Sequence, residues 1–598
     1  MSYLTGPRLH FAGRFKADVS TVNNDVNNFN TDQPDGDWNA GGSGIWQLIG
    51  CTVRGAVSAN GTFARTAADD PIVGLALTDA TSPHAKIVDL DPQQQMVSQI
   101  WGLQLGLLNA GGDPAFSGKF EVAAFSDLWN RTPGGGGGDF ALAAFWQSVI
   151  TNVVWGNVGG SAILQQLQQA SAGSGLSIKF NVDGFDMNPD SSTFTTGRIV
   201  GAIGAAAPGE PHHFTIGRHC APASPRVYFF PAVVDTQRRK LIADLGNALS
   251  TTLTGGPVNP SLGLELGMLP TGSTFASLGN VAVGGDGWYE QTAGIVEVPP
   301  DRPLSTDELT KLRTTPIALA GQPQTGGLSM LAKEGVDGLH VRPDRLFFRL
   351  SAGDTPTVNV YASQFGEPLP NAQIAVSYDA SGLKPGSTPN TPVALPTNAL
   401  TFPGTVTTNQ DGVATLTLTA HALAKPRVFI DGQIYGVRCR LQQAAHGAGT
   451  YSNPWDFISA LVWSSFTPSA GLTWWGDIQP ILHQYANLYP FMKNFLDLGN
   501  YDDVVGHIPV LQQVFNLPDE HPHYMPVTRD LSPAKRQAIL NWLVTTGNAG
   551  KPNLGTPPVM AVVAAARLAA APVRHPSLGA KTAAMAARAP EAVTLTRV

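Results

Sequence analysis

Apolar and polar residues alternate with a period of two along much of this chain, the mark of half-buried strands. Near the start, Leu9 and Phe11 alternate with Arg8 and His10. Short apolar runs follow at 73–77, 87–90 and 178–182, each bounded by turn residues. Between 346 and 442 the alternation is clearest: Val358, Val360 and Ala362; Ile374, Val376 and Tyr378; Ala414, Leu416 and Leu418 after an Asn409–Gly412 turn. Asp431-Gly432 marks a tight hairpin. One run departs from this period. Phe140 to Val154 is apolar all round with Asp139 before it as a candidate N-cap, so the spacing predicts a buried helix. Arg238–Leu249 and Asp307–Arg313 fit helix and strand equally well.

Beyond 443 the period lengthens to that of a helix. Ile478, Ile481, Leu482, Tyr485, Leu488 and Tyr489 share one face. Ser532 is an N-cap with Pro533 at the first helical position; Ala538, Ile539, Trp542 and Leu543 form the buried side, and Gly547 ends the run. The predicted fold is mainly β and multidomain: β-sandwich-type domains followed by a small C-terminal helical domain. The divisions are a β-rich N-terminal domain at 1–230, a second β-rich unit at 231–345, a sandwich at 346–442, a helical domain at 443–550 and an Ala/Pro-rich tail at 551–598.

Composition sharpens this picture. At ~150 residues per domain, 598 residues make about four domains. The 65 Gly and 46 Pro favour turns and short strands over long helices. The net charge of −7 is spread without blocks, which argues against a nucleic-acid partner. Neither a signal core nor an apolar run long enough to span a membrane is evident, and three scattered cysteines make no disulfide framework. A reduced, cytoplasmic protein is the expectation.

The common catalytic motifs are missing. Gly112–Lys119 misses the phosphate-loop spacing by one residue, and no GxSxG, HExxH or GxGxxG occurs. Two ExxH matches, Glu210–His213 and Glu520–His523, contain prolines and read as polar loops. The densest metal-capable group is His212, His213, His219 and Cys220. If 214–217 is a strand, His213 and His219 share a face, which suits a metal or haem, with a solvated strand edge as the alternative. Asp186, Asn188 and Asp190 match the first oxygen positions of a calcium loop, although Ser191 and Gly197 stand where Gly and Glu belong; an Asx-rich turn explains the same residues. Cys439 reads as an inert core thiol. Trp38, Trp46, Trp474 and Trp475 would supply the platform of a carbohydrate- or surface-binding protein, or simply pack inside.

Two resemblances stand beside these readings. Phe365–Ala372 followed by Asp411–Ala414 resembles bacterial immunoglobulin-like modules, which space or dock other domains. The opening Pro7–Arg14 with Thr21–Asp25, together with Tyr489–Met492, Tyr524-Met525-Pro526, Thr528-Arg529, Leu531-Ser532 and Lys535, resembles the N-terminal, non-ferritin half of the iminophenyl-pyruvate dimer synthases of violacein and indolocarbazole biosynthesis. In that family a ferritin-like region following this half is credited with the oxidative coupling, and the enzymes are haem proteins. The chain stops where that region would begin. The resemblance therefore implies an accessory scaffold or docking protein in secondary metabolism, serving a separate ferritin-like oxidative enzyme, with no catalytic residue carried over. Haem is possible by this resemblance, with no ligand assigned. A haem- or metal-dependent oxidative enzyme is the alternative.

Overall fold

Thirteen antiparallel strands lie within the first 205 residues: β1 (Arg8–Ala17), β2 (Ile45–Val57), β3 (Phe63–Ala64), β4 (Leu77–Asp79), β5 (Ala85–Asp91), β6 (Gln94–Trp101), β7 (Gln104–Leu108), β8 (Pro114–Phe120), β9 (Ala123–Ala124), β10 (Asp127–Asn130), β11 (Leu142–Trp155), β12 (Leu176–Asp183) and β13 (Thr196–Ala205). The computed structural model describes residues 2–20, 26–30, 39, 41–79, 83–132, 138–259, 263–285, 287–321, 327–384, 386–387, 390–427, 429–442, 453–547, 550–558 and 596–597. The Thr21–Asp25 part of the resemblance, Trp38 and most of the Ala/Pro-rich tail lie outside these residues.

The long strands β2 and β11 close this sheet. On one edge β2 pairs β1 throughout. Its other edge pairs β5 at Ile45 and Trp46, then meets the approach to β4, where Val53 N–H donates to Leu75 O at 2.9 Å and Gly74 N–H to Val53 O at 2.8 Å. In the same way β11 pairs β10 through 142–145 and β8 through 150–155. The path β4-β7-β8 thus joins β2 to β11 at one end. At the other, β5-β6 reaches β11 through Phe125 N–H to Ser98 O and Ser126 N–H to Phe145 O. The result is a two-ended barrel with β12, β13 and β1 as its shared back wall.

The predicted helix at 140–154 is instead β11, preceded by a 3-10 turn at Asp139–Ala141. The uninterrupted apolar run arises because both faces of the strand are buried. Leu142, Ala144, Trp146 and Ile150 point into the barrel core, whereas Phe145 joins the core beneath the next sheet. The same double burial changes the meaning of β1. Leu9 and Phe11 point inward as expected, yet Arg8 and His10 are also buried. Arg8 pairs with Glu297 at 2.8 Å and donates to Leu4 O at 2.6 Å, and His10 Nδ1 lies 2.7 Å from Gln291 O. Burial and the neighbouring Arg8 charge push the His10 imidazole well below its usual range.

Arg218–Pro222 pairs with 230–235 and 329–334, so it belongs to a second, nine-stranded sheet rather than the first unit. That sheet runs through Ser329–Glu334 and takes Thr596–Arg597 as a parallel strand beside Thr274–Val281. The two ambiguous segments resolve differently. Lys240–Asp244 is a strand, and Thr306–Leu312 is a helix started by a Ser305/Glu308 capping box.

Two facing sheets then form a sandwich. One contains Leu339–Pro343, Thr357–Gln364, Glu367–Pro368 and Val413–Thr417; the other contains Phe347–Leu350, Gln373–Tyr378, Thr405–Thr407, Gln433–Leu441 and Ile458–Val462. The sandwich therefore extends on both sides of 346–442. Asp431-Gly432 is a turn but not a hairpin, because 421–427 and 429–431 are irregular among the described residues. Gly432 is required there: its φ is +71°, and a Cβ would lie 2.3 Å from Val462 O. A small helical region follows the sandwich, with a π turn at Trp474–Ile478 and helices at Gln479–Leu488, Tyr501–Gly506, Ile508–Asn516 and Pro533–Val544. Ser532 caps the last helix as expected, and Ala538, Ile539, Trp542 and Leu543 are its buried residues. That helix stops at Val544, before Gly547.

Candidate functional site

The helical region covers the β5–β6–β10 mouth of the barrel and leaves a cavity of about 410 Å³ beneath it. The barrel supplies Phe15 and Ala17 from the end of β1, Ile87 from β5, Phe125, Leu128 from β10, Leu142, Ala144 and Trp146 from β11, and Val182 from β12. The cap supplies Leu482, Tyr485, Tyr489, Phe491, Met492, Leu511, Phe515 and the Met525–Thr528 turn. Strand alternation explains the barrel half: residues two apart on β11 face the same interior. Helical spacing explains the cap half, where 482, 485 and 489 fall on one face. Two of the lining residues, Phe491 and Val510, are exposed apolar side chains.

The polar groups in this wall are few. The Lys86 ammonium donates to Ser43 O at 2.9 Å. Burial and the nearby Arg529 charge push this amine down to about 8. Asp183 is held by Arg131 at 2.8 Å and by Arg198 at 2.6 Å. Tyr485 donates to Asp530 Oδ1 at 3.1 Å. Ser20 Oγ, Trp146 Nε1 and Tyr489 Oη are buried without a hydrogen bond of good geometry among the described residues. Thr528, beside Tyr489, gives its hydroxyl to Asp530 Oδ1 at 2.6 Å. A largely apolar cavity with a few polar groups in its wall has the character of a small-molecule pocket.

The histidine–cysteine group is not brought together as one site. Residues 214–217 are not a strand. His213 lies between Glu121, 3.6 Å from its Nε2, and Asp344, 3.5 Å from its Nδ1, while His212 Nδ1 meets Glu121 at 2.9 Å. His219 instead stacks on His340 with centroids 3.6 Å apart, beside a cavity of about 40 Å³. Cys220 is buried, its Sγ 3.9 Å from Ile317 O, and burial raises its thiol well above the usual range. Burial pushes the Cys51 and Cys439 thiols up to about 12. All three are core thiols.

These residues do not fit a haem. The His219–His340 stack has no room for a porphyrin, and among the described residues neither histidine nor cysteine lines the large cavity. Burial and the Asp530 charge raise its buried phenols, Tyr485 and Tyr489, away from the phenolate that binds iron. The Asp186–Asp190 turn spends its oxygens internally. Asp186 Oδ1 accepts from Asn188 N–H at 3.0 Å, Oδ2 from Thr193 at 2.6 Å, and Asn188 Oδ1 from Asp190 N–H at 3.1 Å. No group of three or more His, Cys, Asp or Glu side chains converges for a metal among the described residues. Trp46 and Trp474 are buried in separate cores, so they form no surface platform.

Sequence reading missed the cavity because its wall is assembled from segments as far apart as Phe15 and Thr528, each ordinary by itself. The available signal was the resemblance: Tyr489, Phe491, Met492, Met525, Pro526 and Thr528, which help carry it, line the wall.

No family model matches the sequence, and no curated protein does. Among solved structures, the chain is similar to the D00–D0 domain of Intimin at 11% identity and TM-score 0.14, over 33% of this chain and 76% of that one. It is similar to the D0–D1 domain of Intimin at 14% identity and TM-score 0.15, over 37% and 86%. Domains 1–6 of the surface layer protein SbsC match at 10% identity and TM-score 0.14, over 66% and 50%. Overlaps at such TM-scores carry no argument about this chain.

Proposed function

We propose that this chain is a non-catalytic, accessory protein in the oxidative metabolism of aromatic amino-acid-derived compounds, related to the N-terminal half of the iminophenyl-pyruvate dimer synthases. Its task in this reading is to bind and shield an apolar small molecule, acting beside a separate ferritin-like oxidative enzyme. The capped cavity of about 410 Å³ carries the reading. Its volume falls within the roughly 300–1,000 Å³ of small-molecule pockets, and apolar side chains, more of them aliphatic than aromatic, dominate its wall. The residues behind the resemblance are supporting observations, since several of them build that wall.

Calorimetric titration of the purified protein with a neutral aromatic probe, 2-naphthylacetamide, tests the proposal. The expected result is saturable binding at one site. Ala144→Phe fills the chamber from β11 and should weaken binding by more than about tenfold, or 1.4 kcal/mol, with the far-ultraviolet circular dichroism unchanged. No binding by the unaltered protein refutes the proposal. So does turnover of an aromatic α-imino acid by the purified chain alone.

A further inference from the structure

We propose that Lys179 and Asp244 are joined by an intramolecular isopeptide bond, a covalent tie between the back wall of the barrel and the second sheet that the folded chain forms by itself. Lys179 lies on β12, and Asp244 ends the strand Lys240–Asp244. Lys179 Nζ stands 3.0 Å from Asp244 Oδ1, with the two side chains 0% and 1% exposed. The approach is held from both sides. Lys179 Nζ also donates to Ala293 O at 2.7 Å, and Asp244 Oδ1 accepts from Gly246 N–H at 2.9 Å. Gly246 leaves the room for this meeting: a Cβ there would lie 2.8 Å from Lys179 Nζ and 2.5 Å from Asn181 Nδ2.

The surroundings suit amide formation better than a lasting ion pair. A buried pair gives up its hydration, and mutual attraction offsets that loss only when the remaining polar atoms are also satisfied. Here they are not. Asp244 Oδ2, Tyr3 Oη and both amide atoms of Asn181 are buried without a hydrogen bond of good geometry among the described residues. Burial, with the Arg131 and Arg8 charges nearby, lowers the Lys179 amine from its usual range, which favours the free base that attacks a carbonyl. In the step, the ammonium first passes a proton to Oδ2. The nitrogen lone pair then forms a bond to Asp244 Cγ. Negative charge gathers on Oδ1, where Gly246 N–H already donates and the Asn181 amide stands over the same glycine. The Cγ–Oδ2 bond breaks, and Oδ2 leaves as water with that proton and a second one from the nitrogen. Tyr3 Oη lies beside Asp244, and its ring is 5.9 Å from Lys179 Nζ, so its hydroxyl can relay the second proton. The one N–H left on the nitrogen keeps its bond to Ala293 O. Nothing is oxidised or reduced, no co-reactant is consumed, and both buried charges are gone.

Mass spectrometry of the full chain under denaturing conditions tests the bond. The intact protein should be lighter than its sequence by one water molecule, and a protease digest should contain a branched peptide in which residues 179 and 244 are joined. Lys179→Arg keeps a cation beside Asp244 but offers no amine; it should regain the missing water and lose the branched peptide. The full sequence mass in the unaltered protein overturns the proposal. So does a water loss that maps to other residues or survives Lys179→Arg. The digest of the unaltered protein decides by itself if the arginine variant does not fold, and neither result depends on what the capped cavity binds.

Discussion

Arg427 is fully buried yet fully occupied. Its guanidinium makes a two-pronged contact with Asp91, at 2.8 and 2.9 Å, and also donates to Gln93 Oε1, Gly432 O and Asp431 O. Asp91 lies at the β5–β6 turn of the barrel and Arg427 beside the sandwich, so one ion pair joins two units. Asp91→Ala leaves a guanidinium buried without its counter-charge, which costs about 3–5 kcal/mol. Chemical denaturation should show a loss of this size; Asp91→Asn, which keeps acceptor capacity, should lose less. Nothing in the sequence around Asp91 or Arg427 marks them as partners, because they stand 336 positions apart. The same blindness applies to Lys86: a lysine on an alternating strand reads as solvated until the cap is placed over it.

At the scale of elements, short-range grammar was legible wherever one face of an element meets water. The sandwich strands at 357–364, 373–378 and 413–417, and the Pro533–Val544 helix with its Ser532 cap, follow directly from spacing. It misled at β11 and β1, where both faces are buried and the polar face carries ion pairs instead of solvated groups. The lid over the cavity depends on one such legible element. Trp542 is fully buried against Trp474, centroids 5.5 Å apart, and donates from Nε1 to Asn553 O at 2.8 Å, which docks the first residues of the tail. Trp542→Ala should cost about 3–5 kcal/mol. In limited proteolysis the helical region should be cut before the barrel, and affinity for the naphthyl probe should fall with it.

For the whole molecule, the junction of barrel, second sheet and sandwich is a buried polar knot. His219 and His340 stack beside Arg342, which pairs with Asp456 at 3.2 Å; Asp127 lies in the same small cavity. Burial and the Arg342 charge push the His219 imidazole down to about 3, and burial with the His219 charge lowers His340 well below its usual range. Burial raises Asp127 and Asp456. In the unfolded chain an imidazole takes its proton near 6.5. The unfolded state therefore binds more protons below that pH, and the stability these histidines contribute, complete above 6.5, drains away as the pH falls towards 3. The raised carboxyls act in the opposite sense, so the difference between variants isolates the imidazoles. His340→Phe keeps a ring on the stack and removes one titration. Its denaturation midpoint should fall less steeply between pH 6.5 and 4 than that of the unaltered protein.

The chamber wall begins at Phe15 and is completed only at Thr528. During translation the first 205 residues can curl into a barrel, but its mouth stays open until the ribosome has released more than three hundred further residues. The chamber is therefore closed only late in synthesis, and on the proposed reading an amino-terminal fragment that ends before the cap should bind no naphthyl probe.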